Sequence, residues 1–362
     1  MKLKSIKIRN FRNLNETELE PNERLNLIFG PNGSGKTNFC EAIHFASTGD
    51  NLKGSRQREL INWDSDHTLV KLKLVNEDQL TVYLKQGEGK EIRVNSKTAR
   101  QSVVSEVFPT HTFVPEDLYI SKGAPKKRRS LLNRHLGQLE PDYDNLLSQY
   151  NSELKKKNTL LKKNEVNREF LDVLGQRLVD LGASLILKRA NYLDRLNEHL
   201  PEIYGKFVQN SASLTLNYSE ERLMDSSLED LTEYLTEKLE KEKDRELEQQ
   251  TSVVGPHRDK FEYRLNGKDL RKYGSQGELR TAVIATYLAY LELYQERYEE
   301  LPVLILDDIL SELDRSRGER FLQTLPREPQ VFMTTATRDP SFKKLSGQFS
   351  VLRINRGRIE AR

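Results

Sequence analysis

Eight consecutive residues, Gly30-Pro31-Asn32-Gly33-Ser34-Gly35-Lys36-Thr37, carry the spacing GxxxxGK[ST] and with it a definite chemistry. The backbone N–H groups of such a loop, with the N-terminus of the helix behind it, cradle phosphate oxygens. Lys36 then reaches the β- and γ-phosphates of a nucleoside triphosphate, and the Thr37 hydroxyl becomes a ligand for Mg²⁺. Far along the chain, Val303-Leu304-Ile305-Leu306 runs into Asp307-Asp308. A buried aliphatic strand would present Asp307 to the Mg²⁺ held by Thr37 and place Asp308 to orient or activate an attacking water. The bland alternatives are a turn that binds nothing and a helix N-cap. The flanking strand and helix, and the pairing of two distant motifs, argue against both. ATP with Mg²⁺ is therefore the expected ligand, with Lys36 and Asp308 as the catalytic groups.

These groups need a sheet to hold them. Leu25, Leu27, Ile28 and Phe29 read as the strand entering the loop, and Asn38 to Ser47 as the helix leaving it. Alternation at Ile6 and Ile8, at Val70, Leu72 and Leu74, and at Leu80, Val82 and Leu84 predicts half-buried strands. The last two runs make a hairpin across Asn76-Glu77-Asp78. Helical spacing takes over at Leu146, Tyr150, Leu154 and Leu161, and again from Leu174 to Leu200, where Pro201 is expected to stop the helix. Leu214, Leu216 and Tyr218 interrupt as a strand. Ser227 with Asp230 then reads as a capping box opening a helix through Leu239. This middle stretch is polarised: residues 126–200 carry 15 Lys/Arg against 10 Asp/Glu, and residues 201–250 carry 6 against 13. From residue 251 the β/α pattern returns. Phe261, Tyr263 and Leu265 precede the hairpin signal Asn266-Gly267, an apolar helix runs to about Tyr298, and Val331 to Met333 is a strand ending in Thr334-Thr335-Ala336-Thr337. A last hairpin turns at Asn355-Arg356-Gly357.

The length of 362 residues allows two or three domains, and 31% charged residues fits long, solvated helices. A net charge of +3 gives little support for a nucleic-acid partner by itself. Local clusters carry that expectation: Lys53, Arg56 and Arg58 in one loop, and Lys126, Lys127, Arg128 and Arg129 at the head of the helical region. Each reads as a contact for duplex phosphates or as a solvated surface. One cysteine, Cys40, excludes an internal disulfide and fits a reducing compartment. There is no signal-peptide core and no apolar run of 18 residues, so the expectation is a soluble cytoplasmic protein without a membrane partner.

Ser275-Gln276-Gly277-Glu278, heading a helix upstream of the acidic strand, resembles the signature motif of ABC-type ATPase heads, with Ser311-Glu312-Leu313-Asp314 as the D-loop. A glycine loop near the N-terminus, an acidic strand near the C-terminus and helices between them are similar to the split head of SMC-like proteins. Asn10-Phe11-Arg12-Asn13, Val114-Pro115-Glu116-Asp117-Leu118, Gly255-Pro256-His257-Arg258-Asp259 and Asp307-Asp308 with Ser311 to Asp314 narrow the resemblance to the RecF family of bacterial recombination mediators, over essentially the whole chain.

That resemblance implies an α/β fold: an ABC-type P-loop ATPase head with a mixed sheet and flanking helices, in parts 1–125 and 251–362, around an inserted, mainly α-helical arm at 126–250. It implies ATP sandwiched between two subunits. Gly30 to Thr37, Asn38, Arg12 and Asn13 lie on one side; Ser275, Gln276, Gly277, Glu278 and Asp314 lie on the other, and Thr335 stands at the switch position. The implied function is a weak, DNA-stimulated ATPase that dimerises with ATP as a clamp on double-stranded or gapped DNA, without sequence readout, and works with a RecR-type mediator. Its rival is an SMC-like structural clamp outside that pathway. Departures from the pattern are Asp308 in place of a glutamate, no histidine at 334–337, no glutamine near Pro115-Glu116, and Lys260 where the family carries a second aspartate. His257 and Arg258 are either phosphate-sensing or structural.

Overall fold

The structure is a computed structural model that describes residues 1–49, 51, 52, 57–163, 165, 167–208, 212–336 and 349–361. Packing divides it into two compact units, residues 1–115 with 298–362, and residues 116–297.

The first unit is built on two six-stranded sheets. One is antiparallel and contains Leu3–Phe11, His67–Leu74 and Gln79–Lys85. The predicted hairpin is there, with Val70 opposite Val82 and Leu72 opposite Leu80. Every second side chain of His67–Leu74 is buried, as expected of a sheet with one face on a core. The other sheet runs in the order Arg358–Ala361, Phe349–Asn355, Leu25–Phe29, Val331–Thr335, Val303–Leu306 and Thr110–Phe113. All its neighbours are parallel except the terminal hairpin. Val303–Leu306, Val331–Thr335 and Thr110–Phe113 are buried along their whole length, which is why their sequences do not alternate. Helix Lys36–Thr48 buries Phe39, Ile43 and Phe45 in one core with Ile6, Ile8 and Val70 of the antiparallel sheet and Ile305, Phe332 and Leu352 of the parallel one. Each such side chain contributes about 2 kcal/mol on burial.

Parallel register decides where the chemistry sits. Val331 pairs with both Leu25 and Leu304, so the strands Leu25–Phe29, Val331–Thr335 and Val303–Leu306 end side by side. The carboxyl ends of parallel strands are where open α/β sheets place ligands.

The second unit packs helices Pro125–Leu139, Tyr143–Leu161, Arg168–Gly205, Leu228–Gln249 and Gln276–Tyr298 with a three-stranded antiparallel sheet. The capping box at Ser227 and Asp230 is formed. Two expectations need correction. Phe261–Leu265 pairs with Leu214–Tyr218, so residues 251–297 pack with the helices, and the units divide at 115/116 and 297/298 rather than at 125/126 and 250/251. Pro201 does not stop its helix, which continues to Gly205. Proline removes one backbone donor, but the buried side chains of Leu200, Ile203 and Tyr204 hold the last turn in place.

At the centre of this unit lies Arg189, 2% exposed. Its Nη1 donates to Asp259 Oδ2 at 2.7 Å and to the Pro256 carbonyl at 2.9 Å, Nε donates to Tyr143 Oη at 3.0 Å, and Nη2 donates to Asn133 Oδ1 at 3.0 Å. Tyr218 adds a hydroxyl to Asp259 Oδ2 at 2.9 Å. A buried ion pair gives little net stability, but removing one partner strands the other charge. Asp259→Ala should therefore cost about 3–5 kcal/mol in urea unfolding; a loss below about 1 kcal/mol would show that Arg189 does not depend on it.

Candidate functional site

Gly35, the N-cap of helix Lys36–Thr48, sits at φ 114° and offers no side-chain cap. The first-turn N–H groups, which have no partner within a helix, therefore open onto the loop. Lys36 is buried and donates to the carbonyls of Gly30 at 2.8 Å and Pro31 at 3.2 Å. Two neighbouring turns clamp the loop. Asn13 Nδ2 donates to the Gly33 carbonyl at 3.2 Å, and Asn38 Nδ2 donates to Asn13 Oδ1 at 2.8 Å. On the other side Gly357 N–H donates to the Ser34 carbonyl at 2.9 Å. A Cβ on Gly30 would come within 2.2 Å of the Ile354 carbonyl, so only glycine fits there.

Asp307, 5% exposed, accepts from Thr37 Oγ1 at 3.1 Å and from Thr334 Oγ1 at 2.6 Å. Thr334 Oγ1 in turn accepts from the Asp308 N–H at 2.8 Å. Asp308 adopts the left-handed conformation at φ 47°, a geometry that aspartate tolerates better than most residues. Its Oδ1 is buried without a hydrogen-bond partner among the described residues, as is Ser34 Oγ in the loop. Burial pushes the Asp308 carboxyl up, with Ser311 and Lys36 drawing it back. Orphaned polar atoms around a cradle of N–H groups fit an oxyanion ligand. Among the described residues no three His, Cys, Asp or Glu side chains converge on a metal site, so a hard cation here would take Thr37, Asp307 and ligand oxygens.

Gly30 to Asn38, Asn13, Asp307 and Asp308 are thus brought together. Other expected site residues have partners of their own within the chain. The Arg12 guanidinium faces the helix behind the loop, where Nη2 donates to Glu41 Oε1 at 2.8 Å and Nε to the other carboxylate oxygen. Glu41 is fully buried, which explains why the arginine is drawn there. Thr334, the neighbour of the expected Thr335, touches Asp307. The run of threonines was the only sequence signal for it. Asp314 caps helix Arg315–Thr324, accepting from Arg317 N–H at 3.0 Å.

In the other unit, Ser275 and Glu278 form a reciprocal cap. Ser275 N–H and Oγ each donate to Glu278 Oε2 at 2.7 Å, and Glu278 N–H donates back to Ser275 Oγ at 3.2 Å. Ser275 and Gln276 are exposed, and Gly277 lies in the first turn.

The basic clusters separate. Lys53, Arg56 and Thr337 lie outside the described residues. Arg58, Lys126 and Lys127 are exposed. Arg128 is not a surface contact: it is 5% exposed, and its Nη1 donates to the carbonyls of Ile120, Ser121 and Gly123 at 3.0–3.1 Å. Four consecutive helical residues cover a full turn, so one had to face inward. Arg129 is half-buried and donates to the Asp259 carbonyl at 2.6 Å. His257 bonds Tyr150 Oη at 2.6 Å and the Ser252 carbonyl at 3.1 Å, and burial pushes it down to about 4, which makes it a neutral part of the unit's interior. Among the described residues no helix is long and apolar enough to cross a membrane.

The fold and this site define an SMC-type ATPase head. Residues 2–360 match the family described as RecF/RecN/SMC N terminal domain. An SMC head bound to the C-terminal winged-helix domain of ScpA superposes with a TM-score of 0.61 at 15% identity, covering 100% of this chain and 98% of that one, which speaks for the fold alone. The "DNA replication and repair protein RecF" of Clostridium acetobutylicum is 34% identical over 99% of both chains, and that of Staphylococcus aureus is 32% identical over 99% of this chain and 100% of its own. A solved structure of "the recombination mediator protein RecF-ATPrS in RecFOR pathway" has a TM-score of 0.88 at 31% identity, covering 99% of this chain and 97% of that one. Its RecF-ATP counterpart has a TM-score of 0.84 at the same identity, covering 100% and 97%. The chain belongs to the RecF family.

The Arg12 pairing can be tested. Arg12→Ala leaves the Glu41 carboxylate buried and alone, and should lower stability by about 3 kcal/mol in urea unfolding. Unchanged stability with weakened ATP binding would return Arg12 to the ligand.

Proposed function

We propose that this chain is an ATP-dependent DNA-binding protein of recombinational repair, in which two copies associate when ATP is bound, hold DNA between them, and part after slow hydrolysis. The observation that carries the reading is the meeting of Thr37, Asp307 and Thr334 at the mouth of the glycine loop. The relatives named for DNA replication and repair, and the ATP-bound RecF structures of the RecFOR pathway, support it. The family resemblance implies the partner, a RecR-type mediator through which gapped DNA is handed to the recombinase-loading machinery.

Bound ATP with Mg²⁺ supplies the negative charge that the loop attracts and the phosphoanhydride bond that is broken. Around it, the loop N–H groups from Gly33 to Thr37 hold phosphate oxygens, Lys36 exchanges its carbonyl partners for the terminal phosphates, and Thr37 with Asp307 holds the cation. Asp308, one residue beyond and with an unused buried oxygen, accepts the proton of the attacking water. Its shorter reach than glutamate suits slow turnover and a persistent bound state. Ser275 to Glu278 is a preformed helix N-terminus exposed to solvent, suited to cap the terminal phosphate of a nucleotide held by a second copy. Exposed Arg58, Lys126 and Lys127, with Lys53 and Arg56, contact duplex phosphates without reading bases.

Two substitutions test the two halves. Ser275→Arg should leave ATP binding within about twofold while abolishing the ATP-dependent dimer in sedimentation velocity; an unaffected dimer refutes the sandwich. Asp308→Asn should slow hydrolysis by about 100-fold or more and prolong the dimer, and unchanged hydrolysis places the catalytic base elsewhere.

A further inference from the structure

The second unit contains a pocket that none of the nucleotide chemistry uses. It has a volume of about 350 Å³ and opens beside the N-terminal half of helix Pro125–Leu139. Lys126, Arg129, Ser130 and Asn133 line it from one face of that helix, at the spacing that brings side chains into register, with Asn151 opposite. Among the described residues no carboxylate lines it.

Charge is concentrated behind this wall. Burial and then the neighbouring Arg189 guanidinium push the Arg129 side chain down; Asp259 opposes this, and Arg258 and Arg128 add to it. Asp259 answers Arg189 directly. The other three are held by backbone carbonyls: Arg128 by those of Ile120, Ser121 and Gly123, Arg129 by that of Asp259, and Arg258 by that of Ser252 at 2.8 Å. Carbonyl oxygens hold a guanidinium in place without cancelling its charge. Lys260 adds a further positive charge in sequence immediately after Asp259. The helix N-terminus adds its partial positive charge to the same mouth. The Asn133 carbonyl oxygen accepts from Tyr143 and Arg189, so what its amide offers to the pocket is N–H₂.

We propose that this pocket seats a phosphodiester of a bound DNA strand, with Lys126, Arg129 and Ser130 as its contacts. The proposal rests on the reading of the chain as a DNA-binding protein and adds a fixed anchoring point to it. A backbone phosphate fits better than a free nucleotide because the helix wall offers donors, while the two rings of the lining are engaged with each other: Tyr150 is 1% exposed and its hydroxyl bonds His257.

The test uses the full chain with ATP, Mg²⁺ and a labelled 30-base-pair duplex, titrated at several salt concentrations. Ser130 and Lys126 are exposed, so Ser130→Glu and Lys126→Ala should fold, and circular dichroism checks that they do. Lys241→Glu, on the exposed face of a different helix, changes the charge by two, against one for each pocket variant, and so is the stricter control. The expected result is that Ser130→Glu weakens DNA binding about fivefold or more and lowers the slope of log K against log salt by about 1, with Lys126→Ala smaller in the same direction and Lys241→Glu unchanged. ATP affinity should be unaffected in all three. Wild-type binding that neither pocket variant alters, or that all three variants alter alike, overturns the pocket while leaving the DNA reading intact. Absence of wild-type DNA binding overturns that reading itself. Inorganic phosphate raising the melting temperature of wild type but not of Ser130→Glu, with DNA binding unchanged between them, overturns the assignment to DNA in favour of a free phosphate.

Discussion

One buried carboxylate holds the nucleotide end of this molecule together. Asp307 takes hydroxyl hydrogen bonds from Thr37, at the start of the helix after the glycine loop, and from Thr334, near the end of a neighbouring strand. Those three residues come from parts of the sequence that meet only because Leu25–Phe29, Val331–Thr335 and Val303–Leu306 run parallel and in register. A slip by one residue would turn Asp307 away from the loop. The burial of those strands on both faces therefore serves the site as much as the core. Cys40 behind it shows how dry the region is, since burial and then the Asp307 charge drive its thiol far from ionisation.

Around that carboxylate the chain divides fixed from available groups. The loop is clamped by Asn13 on one side and by Gly357 on the other, while Ser34 and Asp308 keep buried oxygens without partners among the described residues. In the second unit the same division recurs: Arg189, Arg128 and His257 are consumed by internal hydrogen bonds, and Lys126, Ser130 and the turn at Ser275 remain exposed. Rigid interiors hold surfaces ready for a ligand, which keeps down the entropy cost of assembling them when it arrives.

Much of this was legible in the sequence, because the signals were local. The glycine loop, the acidic strand, the Asn76 to Asp78 hairpin and the Ser227 cap each depend on residues a few positions apart. What was not legible depended on partners far away. Arg128 looks like the rest of its basic run until the carbonyls of Ile120 to Gly123 are seen to enclose it. Nothing local marks buried Glu41, behind the loop, as the partner of Arg12. Pro201 reads as a stop because local propensity cannot register the packing of Ile203 and Tyr204 beyond it. The boundary at 250/251 failed for a similar reason: strand Phe261–Leu265 has its partner at Leu214–Tyr218, and no periodicity reveals which strand pairs with which.

The proposed function ties association and DNA retention to nucleotide state. The most direct measurement is sedimentation velocity of the wild-type chain with a labelled duplex, in parallel runs without nucleotide, with ADP and with ATP. The duplex should sediment with a two-chain species in ATP and separate from single chains in the other two runs. A single chain carrying DNA equally well in all three would contradict it, and would leave the loop and the acidic strand without a part in holding DNA.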